Sequence, residues 1–117
     1  GTITGVGEYL RAWENTVKVV AVEPYESQAI GGGFPGRHGI AGLGAGFVPE
    51  NYNPYVVDTV LTVTTADAER ASKEVLLCDG IPACTSGGAT LAAAVQLMEM
   101  GKAKRPLCIF AGRRMYE

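Results

Sequence analysis

VKVVAVE (residues 17–23), followed by Pro24, gives the clearest indication of the fold. Its β-branched residues favour a strand, and proline ends a strand because it has no N–H to donate to the ladder. The run is mostly apolar rather than alternating, which is typical of a strand buried on both faces of a parallel sheet. The stretch therefore predicts an α/β protein in which helices cover the sheet.

Helices and further strands surround this run. Upstream, apolar residues three and four positions apart predict an amphipathic helix. Downstream, Thr64 with Asp67 three residues later forms a capping-box pattern, and Gly80 is a natural helix end. We predict one domain, residues 1–117, with strands at 17–23, 56–63 and 107–110 and helices at 5–14, 64–79 and 89–100.

The composition excludes several classes of protein. The 117 residues are 47% hydrophobic and 19% charged, which is typical of a globular domain. A net charge of -2 provides no patch for nucleic acid, and no apolar run reaches the roughly 20 residues that span a bilayer. We therefore expect neither a nucleic-acid nor a membrane partner.

The three cysteines, Cys78, Cys84 and Cys108, are an odd number without a C-x-x-C pair. Only one histidine, His38, is present to help bind a metal. We therefore expect no metal site and no disulfide framework, and free thiols are consistent with a reducing cytoplasm. His38 lies alone in a loop, where a structural or solvated role is favoured over a catalytic one.

Residues 31–46 form a glycine-rich loop that contains GGGFPG (residues 31–36), a formal match to the dinucleotide motif G-x-G-x-x-G. That motif requires a helix to leave the glycines, so that its N-terminus meets a pyrophosphate. Pro35 and the residues 36–39 do not begin a helix. The dinucleotide interpretation is therefore rejected.

TSGGAT (residues 85–90) places a small hydroxyl and two glycines before an alanine-rich helix. Ser86 is therefore a candidate to bind a ligand at a helix N-terminus. An ordinary N-cap serine, worth about 1 kcal/mol to the helix, is the alternative interpretation, and the residues alone leave both open.

Four segments together resemble the cysteine synthases (O-acetylserine sulfhydrylases), and the order of the segments is also the same. GTITGVG (residues 1–7) resembles the end of the family's GTGGTITGVG phosphate loop, and residues 19–27 resemble its V-x-V-E-P-x-x-S strand. FPGRHGIAGLGAGFVP (residues 34–49) is similar to KPGPHKIQGIGAGFIP, and SGGA (residues 86–89) stands where the family has SSGA. Cystathionine β-synthase shares most of these motifs.

The resemblance implies a fold and a set of site residues. The fold is the three-layer α/β sandwich with a mostly parallel sheet of fold type II, the tryptophan synthase β-like large domain, of which this chain would be the C-terminal part. The implied cofactor is pyridoxal 5'-phosphate (PLP), with Gly1 and Thr2 at its phosphate and Ser86 at its pyridine nitrogen. A neutral hydroxyl does not force that nitrogen to carry a proton. Gly42 matches a glycine that lies close to substrate and cofactor.

The implied reaction replaces the side-chain leaving group of an activated serine by a sulfur nucleophile, which forms cysteine. The family's Schiff-base lysine belongs to the N-terminal half, so we expect no catalytic residue in this chain and none among its four lysines, Lys18, Lys73, Lys102 and Lys104. The expected partners are the missing N-terminal half, a second copy in a homodimer and a small amino-acid substrate.

Two departures from the family pattern keep alternatives open. Gly87 replaces the second serine of SSGA, and residues 110–116 lack the aspartate of the family's LPDSGERY. A condensation like that of cystathionine β-synthase is one alternative. A degenerate, non-catalytic relative that binds a partner such as an acyltransferase is the other.

Overall fold

The computed structural model describes residues 2–13, 16–40, 43–44, 46–48 and 50–112. Two of the residues predicted to lie in the site, Gly1 and Gly42, are outside these ranges. The elements in chain order are α1 (Thr2–Trp13), β1 (Val20–Pro24), a short 3-10 helix (Pro54–Val56), β2 (Thr59–Val63), α2 (Thr65–Asp79) and α3 (Thr85–Glu99).

β1 and β2 form a parallel pair, which confirms the predicted fold class. The register runs from Val20 opposite Thr59 to Pro24 opposite Val63. Pro24 occupies the last position of β1, where the missing N–H does not interrupt the ladder. Val19 lies just outside the strand because its N–H donates to the Asp58 carboxylate at 2.7 Å rather than to the ladder.

The predicted ends of α2 are confirmed. The Thr64 hydroxyl accepts a hydrogen bond from the N–H of Asp67 at 3.1 Å, which is the first half of a capping box. At the other end Gly80 has a φ of 68°, and its N–H donates to the Leu76 carbonyl. A left-handed φ is readily adopted only by glycine, so Gly80 ends the helix as expected.

α3 begins at Thr85, earlier than predicted, because the helix includes both glycines of the motif. Glycine has a low helix propensity, so the pattern indicated a turn there. Packing overrides that preference: a methyl group at Gly88 would overlap the Ala68 carbonyl oxygen and crowd Ser72 on α2. The glycine therefore lets α2 and α3 approach closely.

The predicted strand at 107–110 is wrong. These residues lie along α3 without a ladder: the Thr90 hydroxyl donates to the Ile109 carbonyl at 3.2 Å, and Cys108 lies 3.6 Å from the Thr90 carbonyl. A strand requires a partner ladder, and the described residues offer none at this position.

A small core joins the sheet to the two long helices. Its fully buried members are Ile40 from the glycine-rich loop, Val63 from β2, Ala68 from α2 and Ala89 and Ala93 from α3. β1 buries Ala21, Glu23 and Pro24 and leaves Val20 and Val22 half-buried, whereas β2 buries only Val63 completely. No helix in the described ranges is long and apolar enough to cross a membrane.

Candidate functional site

The N-terminus of α1 carries Thr2. Of the two residues predicted to contact the phosphate, Gly1 and Thr2, the structure describes Thr2. Thr2 is exposed at the first position of the helix, and the first turn contains no acidic side chain. The amides of a first helical turn lack intrahelical acceptors and carry the positive end of the helix dipole. This end of α1 is therefore chemically suited to a phosphate.

Contacts with the 3-10 helix region fix the position of α1. The buried Thr4 hydroxyl accepts a hydrogen bond from the N–H of Asn53 at 3.0 Å, and Gly7 lies against the Val56 side chain. Arg11, near the end of α1, pairs with the Asp58 carboxylate. Hydrogen bonds from the Val19 amide, and then the Arg11 side chain, hold the pKa of Asp58 below its usual value.

Ser86 lies at the second position of α3 and is half-buried. The N-cap residue of this helix is Cys84, and its side chain makes no capping hydrogen bond. The interpretation of Ser86 as an ordinary N-cap serine is therefore wrong, because Ser86 lies inside the helix. Its hydroxyl oxygen is 2.9 Å from the Cys84 sulfur.

Gly87, the departure from the family's SSGA, also has a packing reason. A methyl group at this position would be 3.0 Å from the ring of Phe110 and 3.2 Å from the Ala83 methyl group. The ring of Phe110 therefore lies where the larger residue would place its side chain. The two departures from the family pattern thus involve residues that contact each other.

Glu23 organises the start of the glycine-rich loop, a role that the sequence patterns did not reveal. It is only 2% exposed, and its two carboxylate oxygens accept hydrogen bonds from the N–H groups of Ile30 at 2.9 Å and Gly31 at 2.8 Å. Burial, and then the charge of Glu23, raise the pKa of Tyr52. The one available signal was an acidic residue inside an otherwise apolar strand.

His38 has the structural role that the sequence favoured. Its Nδ1 accepts a hydrogen bond from the N–H of Ile40 at 3.1 Å, so in the neutral ring Nε2 carries the proton and donates to the Gly44 carbonyl at 2.9 Å. The ring thus joins residues on both sides of positions 41–42. It therefore links Ile40 to Gly44.

Glu26 and Gly39, which lie on either side of the glycine-rich residues 31–36, are both hydrogen-bonded to Thr65 at the start of α2. The Glu26 carboxylate accepts hydrogen bonds from the N–H and the hydroxyl of Thr65, each at 3.1 Å, and the Thr65 hydroxyl oxygen accepts one from the N–H of Gly39. Burial alone would raise the pKa of Glu26, but these hydrogen bonds and the charge of His38 lower it overall.

The sequence profile of the pyridoxal-phosphate dependent enzymes matches residues 1–112 of this chain. The chain belongs to that family. It is 40% identical over 105 residues to a cysteine synthase of Staphylococcus aureus (strain Mu50), which covers 89% of this chain and 34% of the relative. It is 41% identical over 107 residues to cysteine synthase B of Campylobacter jejuni, which covers 92% of this chain and 36% of the relative.

The solved structures give the same result for the fold. The crystal structure of cysteine synthase (OASS) from Entamoeba histolytica superimposes with a TM-score of 0.91 at 35% identity, over 97% of this chain and 34% of that one. Membership of the PLP enzyme family and the fold type II likeness are therefore confirmed. The chain spans about a third of the length of the curated relatives that it matches.

The described residues fit the cofactor of this family. PLP has an anionic phosphate and a ring nitrogen that forms one hydrogen bond, and the chain offers an open helix N-terminus without acidic residues at Thr2 and a half-buried neutral hydroxyl at Ser86. All four lysines are exposed, and Lys73 lies 3.9 Å from Glu69 in a surface ion pair. None of them offers the buried amine suited to a Schiff base.

Proposed function

We propose that this chain supplies the phosphate-contacting and ring-contacting residues of an enzyme that makes cysteine from an activated serine of the O-acetylserine type and a sulfur nucleophile. PLP, when bound, withdraws electrons from the amino acid during loss of the β-substituent. The observation that carries the proposal is the position of Ser86, a neutral hydroxyl in the uncapped first turn of α3, in a chain similar to cysteine synthases.

Each proposed site residue acts through simple electrostatics. Gly1 and Thr2 would hold the cofactor phosphate with backbone amides and a hydroxyl at the start of α1. Ser86 would form one hydrogen bond to the ring nitrogen. Gly42 would leave room for the substrate, and His38 and Glu26 would hold the flanking loop in place through the contacts described above.

The remaining two thirds of the relatives' length would supply the Schiff-base lysine and the site of the substrate carboxylate. Exposed apolar side chains support this arrangement. Trp13 is 76% exposed and stacks obliquely beside Tyr9 on α1, with ring centroids 6.1 Å apart. Exposed apolar groups of this size mark surfaces that other protein covers. We propose that the remainder of the enzyme packs here.

We also propose that the whole enzyme is a homodimer. We further propose that it is cytoplasmic, because free thiols such as Cys78 persist in that compartment.

The non-catalytic alternative has one specific observation in its favour, the contact between Gly87 and Phe110 that replaces the family pattern. A degenerate relative would bind its partner without PLP. Visible absorption of protein-bound PLP in the purified native protein separates the two functions, and a β-replacement assay with O-acetylserine and sulfide then tests the substrate class. A protein that carries no PLP would support the binding role instead.

We expect that none of the lysines is labelled stoichiometrically when the chain itself is mixed with PLP and reduced with borohydride. The physical reason is that Lys18, Lys73, Lys102 and Lys104 are all solvent-exposed, and none of them lies in a buried apolar pocket of the kind that activates a Schiff-base lysine. Peptide mapping by mass spectrometry measures the result. Full labelling of a single lysine would show that the chain carries its own Schiff-base residue and that the assignment to the remainder is wrong.

Ser86→Ala in the complete enzyme is expected to weaken PLP binding by about 0.5–1.5 kcal/mol, the value of one neutral hydrogen bond. Ser86→Asp is expected to change the visible spectrum of bound PLP and lower the β-replacement rate, because a carboxylate fixes a proton on the ring nitrogen. Ser86→Thr, which keeps the hydroxyl, is the matched control. Since aspartate is well tolerated in a first helical turn, a native spectrum and rate for Ser86→Asp would remove Ser86 from the site.

A further inference from the structure

The ring of Phe110 packs on Gly87 at the start of α3. A methyl group at Gly87, which is buried, would lie 3.0 Å from the Phe110 Cδ1 atom, 3.3 Å from its Cγ atom and 3.2 Å from the Ala83 methyl group. Rotation of the ring about the Cβ–Cγ bond leaves Cγ in place, so it does not remove the second of these contacts. Any side chain at position 87 therefore requires Phe110 as a whole to move.

Contacts on both sides of Phe110 hold it in this position. Before it, the Thr90 hydroxyl oxygen lies 2.8 Å from the Gly87 carbonyl and 3.2 Å from the Ile109 carbonyl, so it bridges α3 and the C-terminal segment. After it, a methyl group at Gly112 would lie 3.1 Å from the Cys84 sulfur. Residues 109–112 thus follow the first turns of α3, with the aromatic ring between two anchored ends.

Packing, rather than a cap, fixes the first turn of α3. The N-cap residue, Cys84, makes no capping hydrogen bond with its side chain. Gly88 contacts the backbone of α2, and Gly87, about 100° further round the helix, contacts Phe110. Ser86 belongs to the same turn, so α2 and Phe110 together determine where its hydroxyl lies.

The two departures from the family pattern change volume in opposite directions at one contact. Gly87 stands where the family has the second serine of SSGA, and Phe110 stands where it has the leucine of LPDSGERY. Glycine is smaller than serine, and phenylalanine is larger than leucine. Since packed interiors tolerate changes that conserve total volume far better than single changes, each departure accommodates the other.

We propose that Gly87 and Phe110 are one compensated change, and that Phe110 is a positioning residue that holds Ser86 by packing on the first turn of α3. Insofar as the ligand of Ser86 is the PLP ring, the positioning role rests on the proposed function. The compensation does not depend on a ligand. Phe110 acts on the ligand only through Ser86, and the two departures leave this turn intact.

The compensation is tested by thermal unfolding of the complete enzyme without PLP. Gly87→Ser should lower the midpoint by about 2–6 °C, because the serine side chain overpacks the contact with the ring. Phe110→Leu removes ring atoms and should cost less. The double variant carries the family's residues at both positions and should unfold within about 1 °C of the native enzyme, far from the sum of the two single effects. A double variant no more stable than Gly87→Ser would overturn the compensation.

The positioning role is tested by titrating the same enzymes with PLP and following the visible absorption of the bound cofactor. Gly87→Ser should weaken PLP binding about 2- to 10-fold, the range for loss of one neutral hydrogen bond, and the double variant should regain native affinity. In a Ser86→Ala background Gly87→Ser should have no further effect, because the bond through which it acts is already absent. An equal loss in both backgrounds would show a general disturbance of the fold and remove the positioning role.

Phe110→Ala gives the same test without added bulk, so the proposal stays testable if Gly87→Ser does not fold. It should weaken PLP binding with Ser86 present and leave the affinity of Ser86→Ala unchanged. If Ser86→Ala weakens PLP binding but Gly87→Ser and Phe110→Ala bind it natively, the positioning role falls and the proposed function stands. If Ser86→Ala itself binds PLP with native affinity, the assignment of Ser86 to the cofactor falls, and the role of Phe110 toward the ligand falls with it.

Discussion

Gly88→Ala is expected to lower the free energy of unfolding by about 3 kcal/mol, at the upper end of the usual range for overpacking. A methyl group at this position would overlap the Ala68 carbonyl oxygen, and it would lie 2.8 Å from the Ser72 amide nitrogen. Both atoms belong to the α2 backbone, which cannot rotate away as a flexible side chain would. α2 and α3 would have to move apart, which opens the core around Ala89 and Ala93. Urea denaturation followed by circular dichroism measures the change.

Gly5→Ala provides the matched control for this substitution. Gly5 also lies within a helix, α1, but nothing is within 4 Å of the position that its methyl group would occupy. The change should therefore raise stability by about 0.5–1 kcal/mol, because alanine is the better helix former. Equal midpoints for Gly88→Ala and the native protein would contradict the close approach of the two helices.

Glu23→Ala is expected to cost about 3 kcal/mol or more in the free energy of unfolding. The carboxylate is buried and accepts hydrogen bonds from the N–H groups of Ile30 and Gly31, so alanine would leave two donors without acceptors. Glu23→Gln retains one acceptor oxygen and should cost an intermediate amount.

Thermal and urea unfolding of the two variants measure this series. Glu74→Gln, at an exposed position on α2, is the control and should stay within about 0.5 kcal/mol of the native protein. Native-like stability of Glu23→Ala would mean that water satisfies both amides, and the carboxylate would then not be what organises the loop.

Local patterns predicted the elements whose causes are themselves local. The capping residue Thr64 and the terminating Gly80 are read directly from residue types at fixed spacing, and both ends of α2 are confirmed. Residues 107–110 are apolar, as a buried strand would be, but the segment packs on α3. Strand formation depends on a distant partner strand that composition does not reveal. The start of α3 was missed for the same reason, since only contact with α2 makes Gly88 favourable within a helix.

The amino-acid sequence alone indicated the α/β class, through the apolar run that ends at Pro24, and the family, through motifs in the same order as those of the cysteine synthases. It also named Ser86 as a candidate, because a hydroxyl beside glycines before a helix is a pattern of neighbouring residues. Only the folded chain shows which helical position Ser86 occupies, that Cys84 contacts it, and that Glu23 is buried beneath the glycine-rich loop. These features depend on the distances at which packing places groups from separate segments, and residue spacing along a chain does not contain those distances.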